Sequence, residues 1–198
     1  MTSLSATHPT LLNTLAPGNS VIRTVGFAIA GSMLLALASK VQVPFLPVPM
    51  TMQSLVIMML GMAYGSRLAM ATVLLYLAEG LAGLPVFAGT GAGFAYMTGP
   101  TAGYLVGFVA AAGLIGWLAE RGWDRSPVKA LVAMSVGHVL LFVPGVAWLA
   151  VLFGVEKAIA VGLTPFIAAT LLKTALGAAL MQASWMVVAR RSQGRIDG

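Results

Sequence analysis

The chain of 198 residues contains no cysteine and very little charge. Without cysteine the protein has no disulfide bond, no cysteine-ligated iron–sulfur cluster and no thiol nucleophile. Only five residues are acidic, and charged residues make up 8% of the chain, whereas about 25% is usual for a soluble domain. This shortage of charge excludes a water-soluble domain of the ordinary type.

Hydrophobic residues fill the chain instead, at 59% of its length and with a mean hydropathy of +0.95. Since one membrane-spanning helix needs roughly 20 apolar residues, the length allows about six spans. We predict an all-α integral membrane protein with six transmembrane helices, preceded by a cytoplasmic N-terminal tail at 1–20 and followed by a cytoplasmic tail at 192–198. The six-helix membrane domain at 21–191 contains apolar runs at 21–39, 50–64, 68–83, 101–119, 128–153 and 163–189.

The basic residues predict the orientation of these spans. With both termini inside, eight of the eleven lysines and arginines face the cytoplasm, as the positive-inside rule requires. Lys40 and Lys157 then lie outside, and Lys173 lies within the sixth span. The net charge of +6 is therefore interpreted as a topological signal facing anionic lipid, and it does not indicate nucleic acid.

A glycine-rich, uncharged segment, GLPVFAGTGAGFAYMTGPTAGYL at 83–105, joins the third and fourth spans on the outer side. Its glycines could suggest a phosphate-binding loop, but no G-K-[ST] sequence follows and the flanking segments are apolar helices. Two other interpretations stay open. The segment is either a flexible connector or a close-packed loop that lines a cavity, where glycine lets the backbone approach a ligand.

Lys173 is an ionisable residue at membrane depth, which is costly enough to indicate function. We expect Thr164 and Pro165 to begin its helix, which puts Lys173 roughly 12 Å below the helix start. Three interpretations are open: a structural ion pair with Glu79, a lysine that extends to the lipid surface, or a contact to an anionic or hydrogen-bonding ligand.

Several other polar or aromatic residues lie in or near the spans. His138 lies midway along the fifth span, where a hydrogen bond to a neighbouring helix is expected rather than a proton relay. Aromatic residues lie near the predicted outer ends, where interfacial belts already favour them, and only convergence on one pocket would indicate binding. These are Phe87, Tyr96, Tyr104 and Trp148.

Five sequence blocks resemble one known family in order and over nearly the whole chain. They are VPFLPVPMTMQSL (43–55), YLAEGLAGLPVFAG (76–89), GPTAGYLVGF (99–108), GVAWL (145–149) and FIAATLLKTALGAAL (166–180). The chain is similar to the biotin-uptake S-component family, BioY, of energy-coupling factor (ECF) transporters. The resemblance implies a six-helix, multi-pass protein of the bacterial inner (plasma) membrane, which captures biotin from outside and, in complete systems, works with a transmembrane T subunit and paired ATPases.

The chain departs from the family pattern at three polar positions. Gly91 stands where some relatives have an asparagine, and Leu105 stands where some have an arginine. The signature P-G-D-x-x-K before the sixth span has become Ala168 to Lys173, so that Thr170 replaces the acid while the lysine is kept. A changed substrate is therefore an alternative to biotin.

The resemblance leaves Lys173 as the cation expected at pocket depth, where it would meet a carboxylate or a ureido carbonyl. Thr170 lies on the same helical face and can hydrogen-bond a ureido group. Gln53 and Tyr104 are uncharged candidates for other contacts. The glycine-rich loop, including Gly91, would fold over the ligand, with Phe87 and Tyr96 as apolar walls. Trp148 completes the predicted substrate-binding set. Movement of this loop would then control access.

Gly26 and Ala30 in the first span stand where the family carries a small-x-x-x-small pattern that docks the T subunit. Such patterns also pack helices within one protein, so this alternative stays open. No paired acids, H-E-x-x-H motif, Walker motif or rows of intramembrane charge are present. We therefore expect no enzyme, no metal site and no cofactor, with ATP used only by partner subunits. A related vitamin or carboxylate carrier working alone is the alternative.

Overall fold

The computed structural model of the protein describes residues 8–18 and 20–193, with side chains through Arg190. The outer parts of the two predicted tails, 1–7 and 194–198, lie outside the described residues. The described part of the chain forms nine α-helices and one short antiparallel hairpin. They are α1 (Leu11–Leu15), α2 (Val21–Lys40), β1 (Gln42–Val43), β2 (Met50–Thr51), α3 (Gln53–Tyr64), α4 (Ser66–Leu81), α5 (Gly93–Met97), α6 (Ala102–Ala119), α7 (Pro127–Phe153), α8 (Val155–Gly162) and α9 (Ile167–Gln193).

Each of the six predicted apolar runs overlaps one of the longer helices, namely α2, α3, α4, α6, α7 and α9. Among the described residues, four stretches are long and apolar enough to cross a membrane: Val21–Lys40, Ala102–Ala119, Pro127–Phe153 and Val155–Arg190. The prediction of a helical membrane protein is confirmed. Six crossings remain a prediction, because α3 has only 12 residues and α4 only 16, whereas about 20 are usual.

The predicted second span does not begin as a helix. Its first residues belong to β2, and Gln42 and Val43 of β1 pair with Thr51 and Met50. α3 then starts at Gln53. Nonhelical backbone at this depth is tolerated where it lies against protein or lines a cavity, and the site described below lies beside this hairpin.

α6 lies at the centre of the bundle, where it packs against α3, α4 and α7. Two of its glycines, Gly103 and Gly107, face the backbone carbonyls of Pro144 and Leu141 in α7. A spacing of four residues puts both glycines on one face of the helix. A side chain at either position would collide with α7, so these glycines permit the close approach of the two helices.

The turn between α3 and α4 is joined to the end of α6. Gly65 has a φ of +82°, in the left-handed region that favours glycine. The Glu120 carboxylate, after α6, accepts hydrogen bonds from the Ser66 backbone N–H at 2.8 Å and from the Ser66 hydroxyl at 2.9 Å. This acid satisfies donors at the start of α4 and lies at the positive end of its helix dipole.

Between residues 8 and 18, the predicted N-terminal tail has structure that the sequence did not predict. Thr10 accepts a hydrogen bond from the Asn13 N–H at 3.4 Å and caps α1. Leu11 and Leu12 are buried, and α1 packs against α3 and α9. The backbone N–H of His8 donates to the Glu120 carbonyl at 2.7 Å. Burial of two leucines by a single helical turn explains the difference, since one turn is too short to show a periodic pattern.

Asp124 is fully buried in a 3₁₀ turn at Trp123–Arg125. Its Oδ2 accepts a hydrogen bond from the indole N–H of Trp185 at 2.9 Å, and its backbone carbonyl accepts one from the Gln182 side chain at 2.9 Å. Burial raises the pKa of the Asp124 carboxyl above its ordinary value, although the Trp185 hydrogen bond opposes this shift. The contacts fasten the α6–α7 connection to α9.

Candidate functional site

One cavity is lined by residues of the β-hairpin, the glycine-rich loop and the helices α3, α4, α6, α7 and α9. Its volume is about 60 Å³, which is enough for several water molecules. Polar side chains of α3 and α9 meet aromatic and aliphatic walls, the arrangement typical of a small-molecule site. The lining residues are Val48, Pro49, Thr51, Gln53, Ser54, Tyr76, Phe87, Ala88, Tyr96, Thr101, Tyr104, Leu105, Phe108, Leu141, Phe142, Phe166, Thr170 and Lys173.

Lys173 brings a cation to this cavity, and only 8% of the residue is exposed. Its ammonium donates a hydrogen bond to the Thr51 carbonyl at 2.7 Å and lies 3.3 Å from the Ser54 hydroxyl oxygen. Glu79 instead accepts a hydrogen bond from the Ser32 hydroxyl at 2.5 Å. Within the described part of the chain, Lys173 therefore makes polar contacts to the hairpin and α3, and the ion pair with Glu79 is not formed.

The helix that carries Lys173 begins differently from the expectation. Thr164 opens a 3₁₀ turn, Thr164–Phe166, and its hydroxyl donates back to the Ile159 carbonyl at 3.1 Å instead of capping a helix N–H. Pro165 lies within this turn, and α9 starts at Ile167. Lys173 is consequently two turns into α9 and close to the cavity that the hairpin covers.

Gln53 connects the hairpin with α4 and the glycine-rich loop. Its side-chain oxygen accepts from the Thr51 hydroxyl at 3.0 Å, and its amide nitrogen donates to the Tyr76 hydroxyl oxygen at 2.6 Å. The Tyr76 hydroxyl then donates to the Val86 carbonyl at 3.0 Å. Because Gln53 and Tyr76 are both buried, this chain satisfies polar groups that would otherwise be costly inside the protein.

Aromatic rings form two groups around the polar residues. Phe87 stacks on Tyr96 with ring centroids 4.8 Å apart, and Tyr76 meets Phe87 edge-on at 5.4 Å. On the other side, Phe142 lies 6.0 Å from both Tyr104 and Phe166. Such aromatic pairs add stability beyond the burial of their area, so the two groups give the cavity firm apolar walls.

Tyrosine hydroxyls at the cavity differ in their contacts. The Tyr104 hydroxyl donates to the Gly162 carbonyl at 2.7 Å and so joins α6 to the end of α8. Tyr96 lies in α5, in the loop, where burial raises the pKa of its hydroxyl above the ordinary value. Since a tyrosine hydroxyl is already neutral at physiological pH at its ordinary pKa of about 10, Tyr96 can donate a hydrogen bond.

Six of the eight predicted substrate-binding residues line this one cavity, namely Gln53, Phe87, Tyr96, Tyr104, Thr170 and Lys173. The structure puts the other two, Gly91 and Trp148, outside its lining. The Gly91 carbonyl accepts from the Phe87 N–H at 3.2 Å, and Gly91 packs so closely on the Tyr96 ring that a Cβ would collide with it. The Trp148 indole N–H donates to the Gly99 carbonyl at 2.9 Å. Both residues support the loop that carries the aromatic wall.

Sequence reasoning missed several lining residues. Thr51 and Ser54 flank Gln53 in a block already singled out, and Tyr76 opens the block YLAEG, so their proximity could have been inferred. Phe142 stands in an apolar stretch of α7 that carries no distinctive motif. Only the packing of α7 against α6 brings it to the cavity.

Two of the three positions at which the chain departs from the family pattern also reach this cavity. Leu105, only 5% exposed, and Thr170 both line it. An apolar side chain and a neutral hydroxyl thus occupy wall positions where the resemblance indicated an arginine and an aspartate. This leaves fewer charges at the site than the family pattern implies.

His138, the other polar residue noted at membrane depth, lies beside the cavity rather than in its lining. Its Nδ1 is 2.9 Å from the Met134 carbonyl and 3.1 Å from the Thr174 hydroxyl of α9. The expected hydrogen bond to a neighbouring helix is present. Among the residues that the structure describes, no group of three His, Asp or Glu side chains could hold a metal ion.

Gly26 and Ala30 lie on an exposed face of α2. A Cβ built at Gly26 would have no described atom within 4 Å, so these residues do not form a packing face within the monomer. The pair is separate from the cavity.

Fold and cavity together define a helical membrane protein with one cavity whose walls combine polar and aromatic side chains. A family model described as the BioY family matches residues 8–190. The chain therefore belongs to the BioY family.

Related proteins cover most of the chain. It is 32% identical to the biotin transporter BioY2 of Lactococcus lactis, with 83% of this chain and 93% of that protein aligned. It is 37% identical to the biotin transporter BioY of Rhizobium etli, over 75% and 84% of the two chains. The probable biotin transporter BioY of Pyrococcus horikoshii is 31% identical, over 81% and 90%.

The fold is similar to a solved crystal structure described as the S-component for biotin from an ECF-type ABC transporter. The TM-score is 0.74 at 23% sequence identity, with 84% of this chain and 94% of that chain covered. At this identity the likeness shows the shared fold.

Proposed function

We propose that this protein is a high-affinity biotin-binding membrane subunit that mediates biotin uptake as the S component of an ECF transporter. The observation that carries the proposal is the convergence of Lys173, Gln53 and two aromatic groups on one buried cavity. Family membership and relatives named as biotin transporters support the same ligand.

The chemistry of biotin matches these groups. Its apolar thiophane ring and tail suit the aromatic walls of the cavity, beginning with Phe87 and Tyr96. Its ureido group needs hydrogen bonds, for which the Gln53 amide and the Thr170 hydroxyl are available. Lys173 can meet the carboxylate or the ureido carbonyl with a charge-assisted hydrogen bond.

Binding requires the cavity to widen. A volume of about 60 Å³ is small beside the roughly 300–1,000 Å³ of most small-molecule sites. The segments that cover it from the predicted outer side are the β-hairpin and the glycine-rich loop, so biotin enters when one of them moves. This is the usual way in which loops control access to an enclosed site.

The proposed topology has six crossings and both termini in the cytoplasm, in the inner membrane of a bacterium. The distribution of lysine and arginine supports it. In this topology the hairpin extends the crossing of the short α3 towards the outside. The glycine-rich loop extends the crossing of α4 in the same direction.

Gly26 and Ala30 are proposed as the face that docks the T subunit of an ECF complex, whose ATPases would supply the energy. Exposure of this small-x-x-x-small pair on α2 supports the assignment, because small residues let two helices approach closely in lipid. Replacing Gly26 with leucine should leave biotin binding intact and prevent copurification with the T subunit. Unchanged copurification would exclude this face.

A second candidate is a related small-vitamin or carboxylate carrier that works alone. Thr170 and Leu105 favour it, since two charges expected from the family pattern are missing from the cavity. A membrane-embedded enzyme has no such support.

The decisive experiment is equilibrium binding of labelled biotin to the detergent-purified protein. We expect one biotin per chain, displaced by unlabelled biotin but not by thiamin or riboflavin. Lack of binding at micromolar biotin would overturn the proposal, and displacement by another vitamin would favour the second candidate.

A further inference from the structure

Lys40, the last residue of α2, is bound to the glycine-rich loop. Its ammonium donates to the backbone carbonyls of Pro85, Phe87 and Gly89 at 2.6, 2.7 and 2.8 Å. A lysine ammonium has three donors, and here each finds a carbonyl of one short segment. The cation also lies at the negative end of the α2 dipole, which adds to its stability.

Ser39, the neighbouring residue, reaches the same segment. Its hydroxyl oxygen lies 2.8 Å from the Val86 carbonyl and 3.2 Å from that of Phe87, as well as 2.7 Å from the Ala36 carbonyl of its own helix. Ser39 is fully buried. The carbonyls of residues 85, 86, 87 and 89 are therefore all directed at the end of α2.

The bound segment forms part of the wall of the cavity. Phe87 and Ala88 line it, and they are only 1% and 8% exposed. Residues 85–89 are neither helix nor strand, so their carbonyls lack the partners that regular structure would supply. Lys40 takes the place of those partners and thereby fixes the position of Phe87 against Tyr76 and Tyr96.

We infer that Lys40 is a positioning residue of the binding site, because it holds residues 85–89 against α2. This part of the glycine-rich loop can then move in two ways. It either breaks its hydrogen bonds to Lys40 or moves together with the end of α2. The inference rests on the proposed function, because it takes the cavity to be the biotin site. It also links the cavity wall to the helix that carries Gly26 and Ala30 at its other end.

The test uses cysteine labelling in the absence of ligand, which is clean because the chain has no cysteine. Ala88→Cys reports on the loop, and Ala133→Cys, at a fully buried position in α7, reports on general unfolding. With Lys40→Met we expect maleimide to label Ala88→Cys about tenfold faster or more, since at least one charge-assisted hydrogen bond must be lost. Ala133→Cys should stay unreactive.

Two matched variants separate positioning from general effects. Lys40→Arg keeps the charge and the donors and should restore slow labelling in large part. Lys157→Met removes another exposed lysine on the predicted outer side, whose ammonium lies 5.1 Å from the centre of the Phe153 ring, and should change nothing. Ser39→Ala should accelerate labelling less than Lys40→Met, and it serves as the test if Lys40→Met does not fold.

The rate of biotin dissociation provides the second readout. It should be about tenfold higher in Lys40→Met than in the unmodified protein, whereas the rate in Lys40→Arg should be close to that of the unmodified protein. Unchanged labelling of Ala88→Cys in both Lys40→Met and Ser39→Ala would overturn the inference, as would equal acceleration at Ala133→Cys. Absence of biotin binding in the unmodified protein would overturn the proposed function instead. The labelling comparison would then still decide the role of Lys40.

Discussion

Lys173 carries a positive charge on a side chain that is mostly buried. The groups that its ammonium contacts determine how its replacement should change ligand affinity and stability. The ammonium contacts the Thr51 carbonyl and the Ser54 hydroxyl, which are neutral groups. Its charge is therefore not cancelled by Glu79, which bonds to Ser32. A neutral environment leaves the ammonium free to strengthen a contact with an anionic or strongly accepting ligand.

Replacing Lys173 with methionine should reduce biotin affinity roughly ten- to a hundredfold, the equivalent of one charge-assisted hydrogen bond of about 1.5–3 kcal/mol. Thermal stability should change little, because the lost hydrogen bonds are offset by removal of a costly buried ammonium. Isothermal titration and thermal unfolding of the same preparation measure both quantities.

Glu79→Gln is the matched control for this experiment. Glu79 does not line the cavity, so its replacement should perturb the bond to Ser32 while leaving biotin affinity near that of the unmodified protein. Intact affinity in Lys173→Met, or equal destabilisation by the two substitutions, would mean that Lys173 is a structural residue.

α6 packs closely on its neighbours, and its glycines differ in what they face. A Cβ at Gly107 would lie 2.6 Å from the Leu141 carbonyl oxygen, which is rigid backbone of α7. A Cβ at Gly113 would lie 2.7 Å from the sulfur of Met70, on a flexible side chain. The same substitution therefore has different consequences at two positions of one helix.

Gly107→Ala should destabilise the protein by about 1–3 kcal/mol through overpacking, whereas Gly113→Ala should be nearly neutral. Both substitutions gain the same helix propensity, about 1 kcal/mol, so the difference between them isolates the packing of α6 on α7. Thermal unfolding in one detergent measures it. Equal midpoints for the two variants would show that α6 and α7 are not held at this distance.

For the whole molecule, orientation in the membrane is the property that charge distribution predicts most directly. The glycine-rich loop and the α6–α7 connection lie on opposite ends of α6, so a single crossing by α6 puts them on opposite sides. Thr90 is exposed on the loop and is a better labelling site than Gly91, where a side chain would collide with Tyr96.

Cysteines introduced at Thr90 and Ser126 should react with an impermeant maleimide from opposite sides of the membrane, Thr90→Cys from outside. Labelling of intact cells and of inverted vesicles makes the comparison, and the unmodified chain, which has no cysteine, gives the background. Reaction of both cysteines from one side would exclude the six-span topology.

The sequence by itself determined the class of the protein and the places of its longer helices. Hydropathy is a local property that adds up along a segment, so six apolar runs were enough to predict where α2, α3, α4, α6, α7 and α9 would form. The sequence blocks also identified the BioY family and named six residues that share one cavity.

Only the tertiary structure decided which residues meet. Lys173 contacts Thr51, 122 positions away in the chain, and Lys40 contacts Gly89, 49 positions away. Trp148 supports the glycine-rich loop and does not line the cavity. Phe142 lines the cavity, although no sequence motif indicated it. These contacts depend on how each helix is rotated and how closely its neighbours pack, and neither quantity is contained in the hydropathy of a single segment.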